Sequence, residues 1–383
     1  MNSHLKIAFV TAADPMDRRS WSGSTYYIVK ALQQHVGQVD CLGPMYIPQE
    51  RLKNKLSQWA LRFLSKRYYP TRTYQAAAYF AELIENKLKQ GSYDLIVAPA
   101  ASVEIALLKT ELPIVYISDA TFGLLQNLYP IFSQLTKQAA TDEAFFEQTA
   151  VKKSALLVYA SHWAADSARQ DYNANADKVR VIPFGANVDN IPDHEMVVGK
   201  TISYPINILF LAKEWQRKGG SIAFETLTAL LNMHVDAKLT VCGVVPPPQY
   251  HHANMEVIPY LDKNVSADRK RFEEILHKAH ILLLPSRAEC YGVVFCEANA
   301  YGLPVFAARV GGISTIIKDG LNGYLLPLNA DGREYANLIA KCIADAQLYE
   351  TMNKGAVSRY EEILNWNSWG KTMRRAIYEV IGL

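Results

Sequence analysis

The chain has 383 residues, of which half are hydrophobic and a fifth are charged, and its net charge is +3. This length is too great for one ordinary hydrophobic core and suits two domains of roughly 150–200 residues each. No apolar run reaches the roughly 20 residues that span a bilayer, and the small net charge gives no support for a nucleic-acid partner. We therefore expect neither a membrane-spanning protein nor a nucleic-acid binder.

The start of the chain and its cysteines bear on the cellular compartment. The first residues run directly into a strand-like stretch and lack the basic, apolar and small-residue parts of a secretory signal. The five cysteines are scattered, and neither a CxxC pair nor the spacing of a zinc site occurs. These features predict reduced thiols in a cytoplasmic protein.

Short apolar strands alternate with helical patterns, which is typical of βαβ units around parallel sheets. In the first half the predicted elements are a strand at Lys6–Thr11, a helix at about Tyr26–His35, and strands at Asp94–Ala98, Pro113–Ile117, Ala155–Ala160 and Lys178–Ile182. In the second half they are strands at Ile206–Ala212, Lys238–Val244, Met255–Ile258, His280–Leu284 and Pro304–Ala307, with helices at Ser221–Asn232 and Glu361–Leu383. Residues 187–205, rich in Asp, Pro, Gly and Asn, are predicted to link two α/β domains that border a cleft.

Two glutamates flank a predicted helix start in the second half. A buried strand ends at Pro285, a loop presents Glu289, Gly292 permits a tight turn, and a helix begins close to Val293. The unpaired N–H groups and the positive dipole end of such a helix favour a phosphate. Glu297, about one turn into the helix, can accept hydrogen bonds from ribose hydroxyls, and Glu289 can reach sugar hydroxyls. The alternative is that both are ordinary solvated charges.

Three cations follow the predicted strand Ile206–Ala212. They are Lys213, Arg217 and Lys218, and Gly219-Gly220 and a helix come next. A departing nucleoside diphosphate gains negative charge in the transition state, and a cation stabilises that charge. The alternative is a solvated basic loop, but the glycines and the helix start favour phosphate contact. Lys218 is the first candidate, and either Lys213 or Arg217 is the second.

These motifs together resemble the family 4 glycosyltransferases (glycosyl transferases group 1). The resemblance is dense over about Ile281–Pro327, where it is carried by Glu289-x7-Glu297, Pro285-Ser286, Gly302-Leu-Pro304-Val, Gly311-Gly312 and Gly320-x-x-Gly323. It extends to Lys213–Gly220, Val179–Asp189 and the Gly23 loop. The resemblance implies an α/β fold of the GT-B type, with two Rossmann-like domains whose parallel sheets face an interdomain cleft. The expected parts are an acceptor-side domain at 1–190, a nucleotide-sugar domain at 200–365, and a helix at 366–383 that crosses back to the first domain.

The resemblance also implies roles for individual residues. Glu297 would bind the ribose of the donor, and Glu289 would contact the donor sugar. Other candidates for donor binding are Gly292, Val293, Val294, Lys213, Gly23 and Tyr260. The catalytic candidates are Glu289, Lys218, Arg217 and Asp119.

Two departures from the family pattern are visible. Many relatives carry a histidine that contacts the donor sugar after the strand Pro113–Ile117, and here Ser118, Asp119 or Thr121 fills that space. This departure leaves the identity of the donor sugar open. Thr315 stands where relatives often have glutamate.

The implied activity is transfer of a sugar, with retention, from a nucleotide-diphosphate-sugar to a hydroxyl of a glycan, lipid-linked or small-molecule acceptor. The donor is a co-substrate, and no cofactor is expected. No carboxylate is identified as a nucleophile and no Asp-x-Asp metal site follows a strand, so a metal-independent front-face attack is the hypothesis. The alternatives are a non-catalytic nucleotide-sugar-binding protein and a nucleotide-sugar epimerase of the same architecture.

Residues 50–72 form a basic amphipathic segment. Its cations are Arg51, Lys53, Lys55, Arg62, Lys66, Arg67 and Arg72, and they are interleaved with leucines and aromatic residues. Such a segment can lie on an anionic membrane surface. It can equally be a helix that packs its apolar face on the first sheet. The predicted location is therefore cytoplasmic, with peripheral contact at the inner face of the membrane under the first interpretation.

Overall fold

The computed structural model describes residues 5–48 and 69–382. The chain divides into two compact units, of which unit 1 comprises Met1–Ile182 and Trp369–Leu383 and unit 2 comprises Pro183–Ser368. Most of the basic amphipathic segment lies outside the described residues, so its membrane contact stays a prediction. Among the described residues, no helix has both the length and the apolar composition that crossing a bilayer requires.

Unit 1 contains a six-stranded parallel sheet of order β2-β1-β3-β4-β5-β6. Its strands are β1 Leu5–Phe9, β2 Gly37–Cys41, β3 Leu95–Pro99, β4 Ile114–Ser118, β5 Leu156–Tyr159 and β6 Val179–Val181. Its described α-helices before unit 2 are α1 Ser24–His35, α2 Tyr74–Leu88, α3 Ser102–Ala106, α4 Phe122–Leu128, α5 Pro130–Ser133, α6 Lys137–Lys153 and α7 His162–Asp171. Every residue of β3 and β4 is buried, as expected for central strands of a parallel sheet with helices on both faces.

Unit 2 contains a second six-stranded parallel sheet, of order β12-β11-β10-β7-β8-β9. Its strands are β7 Ile206–Leu211, β8 Ala237–Cys242, β9 Met255–Ile258, β10 Ile281–Leu284, β11 Val305–Ala308 and β12 Gly323–Leu326. Its described helices are α8 His194–Val197, α9 Gly220–Asn232, α10 Ser266–Lys278, α11 Val293–Ala300, α12 Ile313–Ile316, α13 Gly332–Ala344 and α14 Ala346–Glu362. The strand order reverses between β7 and β10, and in open α/β sheets ligands bind at the carboxyl ends of the strands at such a reversal.

The last helix, α15, covers Trp366–Ile381. Its first three residues belong to unit 2, where Trp366 stacks on Phe184, and the residues from Trp369 onward belong to unit 1. In unit 1 the side chains of Trp369, Met373 and Ile377 are buried, and Glu379 forms an ion pair with Arg180. The helix predicted over Glu361–Leu383 is therefore two helices, since α14 ends at Glu362.

Candidate active site

The candidate site of unit 2 lies where the strand order reverses. Strands β7 and β10 are adjacent and parallel, and each is followed by a loop and a helix, α9 and α11 respectively. Both helices begin after a glycine in the left-handed region, Gly219 with φ 75° and Gly292 with φ 87°. These two loops carry the predicted cations and the predicted Glu289.

The two loops are packed closely against each other, which explains the glycines. A Cβ at Gly219 would overlap the carbonyl oxygen of Pro285, and a Cβ at Gly311, in the loop after β11, would overlap that of Glu289. The backbone N–H of Arg287 donates to the carbonyl of Arg217 over 2.7 Å and joins the loops directly. A residue with a side chain therefore fits poorly at Gly219 and Gly311, because its Cβ would collide and its φ would be positive.

Lys218 and Glu289 meet in this packed region. The ammonium of Lys218 donates to Oε2 of Glu289 in a direct ion pair, and each side chain is 11% exposed. Burying either charge alone would cost several kcal/mol, so the pair keeps both ionised in the same place. The structure thus brings together two residues that the sequence places 71 positions apart.

Glu297 forms a second pair, with a lysine that the sequence motifs did not include. Glu297 is buried on α11, and its Oε1 accepts from Nζ of Lys263 over 2.7 Å. Lys263 follows β9, at the same carboxyl edge of the sheet as the other loops. Its position after a predicted strand was the available signal, because loops at that edge are where ligands bind.

The remaining cations differ in their surroundings. Nε and Nη2 of Arg217 donate to Glu214 over 2.9 and 2.6 Å, and its Nη1 donates to the carbonyl of Ala288 over 3.1 Å. The hydrogen bonds from Arg217 lower the pKa of Glu214 below its usual value. Lys213 is exposed and lies over the ring of Tyr260, 5.4 Å from its centroid. Arg217 therefore ties the two loops together, whereas Lys213 presents its charge at the surface.

The start of α11 can receive an anion. Its N-cap is Gly292, which offers no side-chain cap, and Val293 and Val294 are partly exposed. The first N–H groups of a helix have no acceptor within the helix, and the dipole adds positive potential there. A phosphate can therefore bind at Val293 and Val294 through backbone N–H groups.

The two unit 1 candidates lie between a strand and the helix that follows it: Gly23 is the N-cap of α1, after β1, and Asp119 is in the loop after β4. Gly23 has φ 93° and follows Trp21 and Ser22, which are also left-handed, at φ 46° and 57°. Asp119 is half-buried, while the hydroxyls of its neighbours Ser118 and Thr121 are buried. Ser118 Oγ donates to Ala120 O over 2.7 Å, and Thr121 Oγ1 lies 2.7 Å from Ser167 Oγ. Of the three alternatives in this loop, Asp119 is therefore the most accessible.

Metal ligands were not expected from the sequence. In residues 5–48 and 69–382, no group of three or more His, Cys, Asp or Glu side chains is placed to hold a metal ion. A metal-independent reaction stays a prediction.

Two family models match the chain. The model described as "Glycosyl transferases group 1" matches residues 205–359, and the one described as "Glycosyltransferase Family 4" matches residues 23–190. Together they span most of the chain. The chain belongs to glycosyltransferase family 4.

Individual relatives and solved structures agree with this assignment. The D-inositol 3-phosphate glycosyltransferase of Jonesia denitrificans is 26% identical over 252 residues, which are 61% of this chain and 58% of that relative. The sucrose-phosphate synthase of Thermosynechococcus elongatus superposes with a TM-score of 0.69 at 17% identity, covering 99% of this chain and 100% of that one. The Anabaena protein HepE, in complex with UDP and glucose, gives 0.64 at 17% identity and covers 98% and 100%.

These findings confirm the predicted α/β fold of the GT-B type and the predicted resemblance to family 4. The chain spans about half the length of the first relatives, namely 58%, 45% and 51% of three enzymes that share the inositol phosphate name. The activity, substrates and partners of the whole protein are therefore proposals.

Proposed function

We propose that this glycosyltransferase binds a nucleoside-diphosphate sugar in unit 2 and transfers the sugar, with retention, to an acceptor hydroxyl. The observation that carries the proposal is the buried Lys218–Glu289 pair where the strand order reverses, in the loops that precede α9 and α11. A cation for the leaving diphosphate, a carboxylate for sugar hydroxyls and an uncapped helix start occur in one segment of the fold.

Each part of the donor has a proposed partner. Glu297 accepts hydrogen bonds from the ribose hydroxyls, and the backbone at Val293 and Val294 binds phosphate oxygens. Lys218 stabilises the charge that develops on the leaving diphosphate, which releases Glu289 to bind hydroxyls of the sugar. We propose Lys213 as the second cation, because it is exposed in the loop after β7, whereas the guanidinium of Arg217 joins Glu214 to the carbonyl of Ala288.

The proposed reaction is a front-face substitution without a cofactor or metal. The bond between the anomeric carbon and the diphosphate oxygen breaks, and the acceptor oxygen bonds to the anomeric carbon from the same face. The acceptor proton passes to an oxygen of the leaving diphosphate. Glu289 is not the nucleophile in this proposal, because its carboxylate binds hydroxyls of the sugar.

The donor and acceptor are chosen from chemistry and from the relatives' names. UDP is the first nucleotide to test, since the similar Anabaena structure contains it together with glucose. A polyol phosphate is the first acceptor to test, since the relatives are named for inositol 3-phosphate. Glycan and lipid-linked acceptors are the next to test. A lipid-linked acceptor would agree with the predicted peripheral contact of residues 50–72 with the inner, cytoplasmic face of the membrane.

A donor panel tests this proposal. The protein is incubated with UDP-, GDP- and ADP-sugars, with and without inositol phosphate, and nucleotide release and product configuration are followed by NMR. We expect turnover of one donor class with retained configuration. Lys218→Met should lower turnover about 100-fold or more, as loss of one transition-state contact does.

The matched control is Lys270→Met, which removes an exposed lysine of α10 and should leave turnover unchanged. An inverted product would contradict the retaining mechanism. Silence over the whole panel, with or without acceptor, would contradict the proposed function and favour a non-catalytic binder.

A further inference from the structure

Lys263 has three contacts that fix its side chain inside unit 2. Its Nζ lies 2.7 Å from Oε1 of Glu297 and 3.2 Å from the carbonyl oxygen of Asn187. The same atom lies 4.0 Å from the ring centroid of Phe272, in a cation–π contact. The side chains of Lys263 and Glu297 are 19% and 6% exposed. Lys263 thus pairs with a nearly buried carboxylate and also contacts the carbonyl of Asn187 and the ring of Phe272.

We propose that Lys263 is a positioning residue for the donor nucleotide, which holds Glu297 in the orientation that grips the ribose. This inference rests on the proposed function, because it assumes that Glu297 binds ribose hydroxyls.

The geometry supports positioning through one carboxylate oxygen. Lys263 contacts Oε1, so Oε2 and the second lone pair of Oε1 can accept hydrogen bonds from two vicinal hydroxyls. A carboxylate held in one rotamer loses less entropy on binding than a mobile one, so its hydrogen bonds contribute more to affinity. Within the described residues, Lys263 is also the cation that forms a salt bridge with Glu297, so it offsets the cost of burying that charge.

A competing role for Lys263, in which it blocks the ribose instead of positioning Glu297, is also testable. If Lys263 instead occupied the place of the ribose, it would compete with the nucleotide. Removing it would then tighten binding. The two roles therefore predict opposite signs for the same substitution.

The experiment is a binding cycle with two proteins and two ligands. The affinity of UDP and of 2′,3′-dideoxy-UDP is measured by calorimetry for the wild type and for Lys263→Met. If UDP does not bind, GDP or ADP and its dideoxy form is used. We expect Lys263→Met to weaken the ribonucleotide about tenfold, a coupling of ordinary size for groups in contact. The dideoxy form should bind both proteins equally.

Two controls separate positioning from a general loss of structure. Glu297→Gln should reproduce the selective loss for the ribonucleotide, and Lys270→Met should change neither affinity. An equal loss for both ligands in Lys263→Met would overturn the inference and indicate a purely structural role. Unchanged or tighter binding of the ribonucleotide would also overturn it. Failure of all three ribonucleotides to bind the wild type would instead overturn the proposed function.

Discussion

Two lysine–glutamate pairs hold the charges of the candidate site in unit 2. In each pair the glutamate comes from the segment that follows β10, and the lysine comes from the loop after a different strand, β7 or β9. Removal of one partner leaves the other charge buried and unpaired, which destabilises the fold independently of catalysis. Single substitutions at these positions therefore mix two effects, and stability must be measured beside activity.

A double substitution separates the two effects for Lys218 and Glu289. Lys218→Met and Glu289→Gln should each lower the free energy of unfolding by about 2–3 kcal/mol, because each strands a charge. The double variant should recover most of that stability, since neither charge remains. Its turnover should stay at least about 100-fold below wild type, because the leaving diphosphate still lacks its cation.

Denaturant titration and donor turnover of all four proteins give the comparison. Additive losses of stability would show that the two side chains do not act as a pair. Recovery of turnover in the double variant would remove Lys218 from the catalytic set.

The sequence predicts some of these residues and not others. Glu289, Glu297 and Lys218 could be predicted because each follows a strand and precedes or begins a helix, the position at which α/β sheets bind ligands. The motifs do not include Lys263, which also follows a strand, because its link to Glu297 joins positions 34 residues apart and no local spacing encodes that pair. The sequence leaves Lys213 and Arg217 open as the second cation, because both follow β7 at the same edge of the sheet.

The start of α11 depends on the left-handed conformation of Gly292. An added Cβ there would meet the ring of Phe295 and would lie 3.2 Å from Cγ of Glu289. The left-handed conformation alone costs a residue with a side chain about 1–2 kcal/mol. A substitution at this position therefore disturbs both the helix start and the carboxylate beside it.

Gly292→Ala should weaken nucleotide affinity in addition to lowering stability. The control is Gly199→Ala, because Gly199 has φ 78° but nothing within 4 Å of an added Cβ. It carries the conformational cost without the collision, so it should lower stability by about 1 kcal/mol and leave affinity unchanged. Thermal unfolding and calorimetry of both variants would check this, and equal affinities would show that the helix start does not contact the ligand.

At the scale of elements, most strands could be predicted to within two residues, and β9 to the residue. Strands β2 and β12 could not, because their sequences, GQVDC and GYLL, begin with glycine and lack a long apolar run. The break before α15 was also missed. Oδ1 of Asn365 accepts from the N–H of Ser368 over 2.8 Å, so an asparagine caps the new helix.

At the scale of the whole molecule, one buried group in each unit is expected to make stability depend on pH, with opposite signs in the two units. Burial raises the pKa of Glu147 in unit 1 to about 7, although Tyr116 donates to its Oε2 over 3.2 Å. The charge of Arg72 lowers the pKa of Glu147 and that of Glu143 raises it, and both effects are smaller than that of burial. A carboxyl whose pKa is raised on folding contributes stability below its ordinary value of 4.5, and that contribution is lost as pH rises through about 7.

The wild type should lose stability in unit 1 as pH rises from about 4.5 to 7, because the buried Glu147 is held protonated there. Glu147→Gln should not show this loss, because glutamine does not titrate. The variant should be more stable than wild type at pH 8 by up to about 3 kcal/mol, and the difference should shrink toward pH 5. Denaturation midpoints at the two pH values would check this. A variant equally or less stable at pH 8 would show that the buried carboxylate is satisfied in another way.

His280 gives unit 2 the opposite dependence. Burial lowers the pKa of His280 to about 4, and the charge of the nearby Lys200 contributes a smaller part of that shift. Its neutral Nδ1 accepts from the N–H of Asn207 over 2.9 Å, a bond that protonation would break. Stability from this group is complete above the ordinary value of 6.5 and is lost as pH falls toward about 4.

His280→Asn should weaken this acid sensitivity, because an asparagine oxygen can accept the same hydrogen bond without titrating. Hydrogen exchange of β7 and β10, corrected for the intrinsic rate at each pH, measures the local stability. Wild type should lose protection between pH 6.5 and 5, and the variant should lose less. An identical loss in both proteins would place the acid-sensitive group elsewhere.

The division of the chain between the units also sets an order for folding during synthesis. Unit 2 is a continuous stretch, Pro183–Ser368, whereas unit 1 needs Trp369–Leu383 in addition to its first 182 residues. The buried side chains of Trp369, Met373 and Ile377 reach unit 1 only after all of unit 2 has left the ribosome. We therefore expect unit 1 to stay incompletely packed, and open to chaperones, until the segment from Trp369 onward has emerged.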